Sequence, residues 1–253
     1  MGPIVMVHGA FVGGWSFERF ERPFRDAGYE VHAPDLRGHG ADAPSQGVIG
    51  VSMRDYVTDV VKLCAGLDGS PVLLGHSMGA LVALMAARQV GAKALVLLAP
   101  SAPWGLVRWS LEEAIASIGA HLATVMSNGA IAPAPEIMRY MTLPRMTPKE
   151  AAPILARLRP ESARAVRETL CWWLDPFMTT GIGAGVLPMP SLTLTGQDDR
   201  VNAAAVGRQV AARIGGEFEA LPDMGHWLIG EPGWQAVAER TIDWLQTETR
   251  AAA

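Results

Sequence analysis

The chain has 253 residues, of which 49% are hydrophobic and only 18% charged, and its formal net charge is −4. That is enough apolar material for a substantial core, in one large domain or a domain with an insertion, and too much for a disordered chain. Without a basic block there is no footing for nucleic acid, and no stretch approaches the roughly 18 uninterrupted apolar residues of a membrane span.

The opening Met1-Gly2-Pro3 leads straight into Ile4–Val7, with neither a basic region nor a small-residue cleavage site, so no export signal is read there. The two cysteines, Cys64 and Cys171, fall in separate helical patterns far apart, and no metal-ligand spacing is present. Together these features predict reduced thiols, no metal and a cytoplasmic setting.

Short apolar runs alternate with helical patterns along the first hundred residues. Ile4–Val7 reads as a strand ending in the turn-rich His8-Gly9-Ala10-Phe11-Val12-Gly13-Gly14, and Trp15 to Ala27 as a helix closed by Gly28. Tyr29–Ala33 is the second strand, running into Pro34-Asp35-Leu36-Arg37-Gly38-His39-Gly40. Ser52 is the expected N-cap of a helix to about Leu67. Val72–Leu74 is the third strand and Leu81 to Gln89 completes the next helix. Ala94–Leu98 is the fourth strand. The strands are continuously apolar rather than alternating, which predicts an α/β fold with a parallel sheet covered on both faces.

After Pro100 this rhythm breaks. Residues 101–186 show no strand of the same quality and read as helical pieces around Trp109–Val125, Glu136–Tyr140, Pro148–Leu158 and Glu161–Leu174, punctuated by prolines. A structureless loop of that length is improbable in a compact domain, so a helical insertion is the better account. Its methionines and tryptophans suggest an adaptable apolar wall. The sheet rhythm resumes at Leu192–Thr195, followed by Gly196-Gln197-Asp198-Asp199. A helix runs from Val201 or Asn202 to Ile214, Glu217–Leu221 is the last strand, and Gly233 to Glu248 is the terminal helix.

The third strand leads into Gly75-His76-Ser77-Met78-Gly79, a G-x-S-x-G match between a strand and a helix. At such an elbow the serine sits in a strained turn with its hydroxyl above the sheet edge, and the N–H of Met78 faces any developing oxyanion. A serine needs a base within hydrogen-bond reach. Of the six histidines, His226 follows the last strand and comes after the acidic pair in chain order, which makes it the expected base; His39 is expected to make local bonds, and the side chain of His76 to point away from Ser77. Ser77, Asp199 and His226 each fall just beyond the carboxyl end of a predicted strand, where open parallel sheets form their sites. Asp198 and Asp199 are adjacent, and pattern alone does not choose between them.

These motifs, in this order, resemble the α/β-hydrolase superfamily over nearly the whole chain. His8-Gly9 looks like its oxyanion loop, Gly75–Gly79 like its nucleophile elbow, Gly196-Gln197-Asp198-Asp199 like its acid turn, and Gly225-His226 like its histidine turn. The resemblance implies Ser77, Asp199 and His226 as a catalytic triad, with Asp198 a solvated neighbour, and the N–H groups of Ala10 and Met78 as the oxyanion hole. It implies a core of 1–100 and 187–253 with a mostly parallel six-stranded sheet, and a helical cap at 101–186. Most members place two strands before the His-Gly strand. Here only three residues precede Ile4, which resembles the compact subgroup of small plant-type esterases and hydroxynitrile lyases. Those lyases carry a lysine just after the triad histidine, where this chain has Trp227 and Leu228.

The expected activity is therefore hydrolysis of a small to medium apolar ester, thioester or lactone through an acyl-enzyme, without metal or organic cofactor, by a monomer or homodimer. The substrate pocket is expected to involve Phe11, Trp104, Trp172, Trp173 and Trp227. Alternatives are a C–C bond hydrolase acting on a diketone-like substrate, a hydroxynitrile lyase and a non-catalytic ligand-binding member of the fold.

Overall fold

The structure is a computed structural model and describes residues 1–106, 126–183 and 185–251. The expected helix at Trp109–Val125 lies outside the described residues. The central sheet has six strands: β1 (Pro3–Val7), β2 (Glu30–His32), β3 (Val72–His76), β4 (Ala94–Leu98), β7 (Ser191–Gly196) and β8 (Glu217–Leu221). Their spatial order is β2-β1-β3-β4-β7-β8, and every neighbouring pair is parallel. The continuous apolar strand runs are explained by burial on both faces. In β1, Val5 and Val7 enter one core cluster, with Tyr56 and Leu81, while Ile4 and Met6 enter the other, with Phe20 and Trp244.

The register fixes where chemistry can happen. Val7 pairs with Gly75, His76 with Leu98, Leu98 with Leu194, and Gly196 with Leu221, so the carboxyl ends of these strands meet along one edge. The sheet is built outward in two directions, to β2 on one side of β1 and to β3 on the other. That switch point leaves a crevice between the loops after β1 and β3.

The helices of the core are α1 (Glu21–Asp26), α2 (Met53–Cys64), α3 (Met78–Ala87), α7 (Ala204–Ile214) and α8 (Trp234–Ala251). Ser52 caps α2 as expected, in a capping box with Asp55. α1 is shorter than the predicted Trp15–Ala27, because a 3-10 turn at Gly14–Phe17 precedes it. Starting at Glu21 puts Pro23 in the first turn, where its missing N–H costs no helical hydrogen bond. α7 begins at Ala204 rather than at Val201 or Asn202, because both of those N–H groups donate to the Asp199 carboxylate, at 2.7 and 2.8 Å.

Between β4 and β7 extra helices form a cap insertion: α4 (Pro135–Met141), α5 (Pro148–Leu155) and α6 (Ala163–Leu170). It also contains a two-stranded antiparallel pair, β5 (Ala130–Ile131) with β6 (Glu161–Ser162). The sequence shows only helical patterns there, since two-residue strands carry no period of their own. β6 takes the first residues of the predicted helix Glu161–Leu174, and Ser162 then caps α6 by accepting from the Ala165 N–H. The cap grips the core through buried carboxylates. Glu168 of α6 accepts from the Ser52 hydroxyl and the Met53 N–H, both at 2.8 Å, at the start of α2.

Candidate active site

Ser77 sits between the last residue of β3 and the first of α3 with φ 56° and ψ −121°. Left-handed φ is costly for a residue with a Cβ, about 1–3 kcal/mol, and survives only where the surroundings impose it. Here the Ser77 N–H donates to the Leu98 carbonyl at 2.9 Å and its own carbonyl accepts from Ser101 at 3.2 Å. The flanking glycines are required by close backbone approach. A Cβ on Gly75 would lie 2.3 Å from the Gly79 oxygen, and one on Gly79 would lie 2.2 Å from the oxygens of Val7 and His8.

The serine hydroxyl lies 3.0 Å from His226 Nε2, and His226 Nδ1 lies 2.9 Å from Asp199 Oδ2. The other Asp199 oxygen accepts the Val201 and Asn202 N–H groups, which holds the carboxylate acceptor-only toward the imidazole. His226 Nδ1 therefore carries its proton and Nε2 is left to accept from Ser77. All three residues are buried. Asp198 points elsewhere, to the exposed Arg145 guanidinium at 3.0 Å. The adjacent acids are thus separated by direction, as their place after a strand requires.

Two other histidines, His76 and His8, border this relay. His76 donates from Nε2 to the His226 carbonyl at 2.8 Å, and burial lowers its pKa to about 3. His8 donates to the Gly9 carbonyl and accepts the Leu36 N–H at 3.0 Å. Its burial, with His39 nearby, likewise lowers its pKa to about 3. Both are neutral braces of the turns they occupy. Glu231 braces the His226 turn from below, accepting the Gly225 N–H at 2.7 Å. Its second oxygen is buried without a hydrogen-bond partner among the described residues, and burial raises its pKa from 4.5 to about 7.

A cavity of ≈110 Å³ opens over Ser77 and His226. Ala10 and Met78 line it, as do Phe11 and Trp227. Trp104, Trp172 and Trp173 are not among its lining residues. They form their own edge-to-face row, with ring centroids 5.3 and 6.1 Å apart, tied down by the Trp104 indole N–H on the Asp175 carbonyl. The cap wall is made instead by Val166, Thr169 and Leu170 of α6 with Met138 and Thr142. Sequence reasoning passed over these five. The signal was there, in their helical spacings of three and four residues, which place each set on one face.

The chain matches the Alpha/beta hydrolase family over residues 4–240. It belongs to that family. It is similar to a pyrethroid hydrolase of Sphingobium wenxiniae, 37% identical over 78 residues, or 30% of this chain and 27% of that one. Curated relatives match over similarly limited stretches, so the chain spans well under half of their length. A thermophilic esterase from Thermogutta terrifontis shares the fold with a TM-score of 0.72 and 24% identity, over 98% of this chain and 90% of that one. A Paenibacillus α/β-hydrolase does so with a TM-score of 0.71 and 19% identity, over 96% of this chain and 98% of that one.

That last protein is described as extracellular, which corrects the cytoplasmic expectation. The expectation leaned on reduced thiols, and the fold shows why that was unsound. Cys64 and Cys171 are buried in separate apolar clusters, which keeps them from each other and from solvent oxidants in any compartment. Among the described residues no helix is long and apolar enough to cross a membrane.

Proposed function

We propose that this α/β-hydrolase cleaves small to medium apolar carboxylic esters, or the related thioesters and lactones, through an acyl-enzyme on Ser77. The observation that carries the reading is the unbroken relay Ser77–His226–Asp199, with both hydrogen bonds at 2.9–3.0 Å, opening onto a mainly apolar cavity. His226 takes the Ser77 proton as Oγ attacks the carbonyl carbon. Asp199 holds the imidazole in the required tautomer and stabilises the imidazolium that forms. The Ala10 and Met78 N–H groups receive the oxyanion, Met78 at the positive end of α3. His226 then gives its proton to the leaving alkoxide. Water, deprotonated by the same imidazole, attacks the acyl-enzyme, and the acid departs as Ser77 regains its proton.

The cavity supports a compact apolar group beside Ser77. Phe11, Met138, Val166, Leu170 and Trp227 offer it dispersion contacts, while Thr142 and Thr169 are the cap's polar points. In this reading residues 1–100 and 187–253 form the catalytic core, 101–186 the cap, and the working unit is a monomer or homodimer. The test is a panel of p-nitrophenyl esters, thioesters and lactones with products identified, run beside Ser77→Ala and with fluorophosphonate labelling. Stoichiometric labelling and ester turnover that both vanish in the variant support the reading. An inert wild-type chain, or a variant that keeps its turnover, overturns it.

A further inference from the structure

Glu161 belongs to β6 of the cap, yet its side chain is completely buried and, among the described residues, its side-chain hydrogen bonds outside its own segment go to the core. One carboxylate oxygen accepts the Tyr56 hydroxyl at 2.6 Å and the Ser162 N–H at 2.7 Å. The other accepts His39 Nε2 at 3.1 Å and the Phe11 N–H at 3.4 Å. The opposite nitrogen of His39 faces the Arg37 carbonyl at 3.2 Å. Both ring nitrogens thus face acceptors, which makes His39 an imidazolium and the pair a buried ion pair. The His39 bonding is therefore not only local.

Phe11 is the telling partner. It follows Ala10 and is held at φ 65°, a region a residue with a side chain rarely adopts. Its carbonyl accepts the Arg159 N–H at 2.8 Å, so residues 159 and 161 of the cap hold Phe11 from both sides of its Cα. The Arg159 side chain is anchored in turn on the Ala43 carbonyl. The Ala10–Phe11 peptide is fixed by the cap, and only the Ala10 dihedrals separate that peptide from the Ala10 N–H.

We infer that Glu161 is a positioning residue for the oxyanion turn: through the Phe11 N–H it holds Ala10 in the geometry that receives transition-state charge, so that the cap sets the rate as well as covering the cavity. The inference rests on the proposed acyl-enzyme chemistry. Glu161 touches no substrate and acts through Ala10. An oxyanion donor contributes mainly in the transition state, and acylation and deacylation both pass through an oxyanion. A misplaced donor therefore lowers kcat and leaves KM nearly unchanged.

The experiment compares Glu161→Gln with Glu168→Gln in the full chain, using a p-nitrophenyl ester, with active sites counted by fluorophosphonate labelling taken to completion. Glu168 is the matched control, a buried cap carboxylate that grips the start of α2 rather than the oxyanion turn. Glutamine keeps the shape, but its NH2 must face donors. We expect Glu161→Gln to lower kcat per labelled site about 10-fold with KM within about two-fold, less than the 10²–10³-fold loss of a whole oxyanion donor. Glu168→Gln should lower the melting temperature and leave kcat per labelled site unchanged. Unchanged kcat per site in Glu161→Gln overturns the inference, as does an equal fall in both variants, which would mean general cap docking. A Glu161→Gln chain that does not fold also overturns it, because the carboxylate would then be a folding element. If the wild-type chain neither labels nor turns over ester, it is the proposed function that fails.

Discussion

The sheet edge and the cap above it are specified in different ways. At the edge, backbone places the chemistry: Ser77 by a turn that two glycines permit, Asp199 by the N–H groups of Val201 and Asn202, His226 by the turn after β8. In the cap, elements are short and side chains do the placing across long sequence separations, as Glu161 does from Phe11 and Glu168 from Met53. Reactivity is therefore expected to belong to the edge, and substrate choice and turn alignment to the cap. That division can be tested one region at a time.

The hardest test is Ser77→Ala. It should fold, lose fluorophosphonate labelling and lose turnover by a factor on the order of 10⁶, the scale of a lost triad nucleophile. Residual turnover near wild type would move the chemistry away from the edge. Asp199→Asn should cost on the order of 10⁴-fold in kcat, because the amide favours the wrong imidazole tautomer. Asp198→Asn breaks only an exposed pair with Arg145, and its kcat should stay within about two-fold. Comparable losses in the two variants would undo the assignment.

Within the cap, Leu170→Ala should change the preference between short and longer acyl chains by about 10-fold, while turnover of an acetyl ester changes little. Trp173→Ala, outside the cavity lining and 45% exposed, should leave that preference alone. A selectivity change in Trp173→Ala but not in Leu170→Ala would reverse the picture of which residues form the wall.

The smallest effect concerns Glu231 under the His226 turn, whose ionisable neighbours are Arg145, His226 and Asp199. The folded chain keeps the Glu231 proton up to about pH 7, whereas the unfolded chain releases it near 4.5. Between those values the native state binds more protons, so this group makes stability fall as pH rises. Glu231→Gln still offers an oxygen to the Gly225 N–H and has nothing to titrate. Its melting temperature should decline less than that of wild type between about pH 5 and pH 8. An unaltered decline would show that Glu231 is already charged in the folded state.

These regions also differed in how far they could be read from sequence. Parallel strands buried on both faces must be continuous apolar runs, so β1, β3, β4 and β7 were legible directly; the partly exposed edge strands β2 and β8 were legible from their place in the strand–helix rhythm, as were Ser52 as a cap and the Ser77, Asp199 and His226 turns. Start points were less so, because side-chain bonds to nearby backbone decide them. Val201 and Asn202 fit a helical pattern, and it is the Asp199 carboxylate two and three residues before them that takes their N–H groups ahead of α7. In the cap, residue type misled. Tryptophan is apolar enough to line a pocket, but Trp104, Trp172 and Trp173 pack chiefly on one another and on the Asp175 carbonyl. A glutamate reads as surface, and only the fold reveals that Glu161 meets His39, Tyr56 and Phe11 in the interior.

The positive φ of Ser77 has a consequence for heat tolerance. Alanine at this position keeps the Cβ and inherits the strained conformation, whereas glycine adopts it freely. Ser77→Gly should therefore melt above Ser77→Ala, although glycine's greater freedom in the unfolded chain offsets part of the gain; the net difference is on the order of 1 kcal/mol. Both variants are expected to be catalytically dead, so the interval between their melting points sets a lower bound on how much robustness the protein forgoes to keep its nucleophile poised.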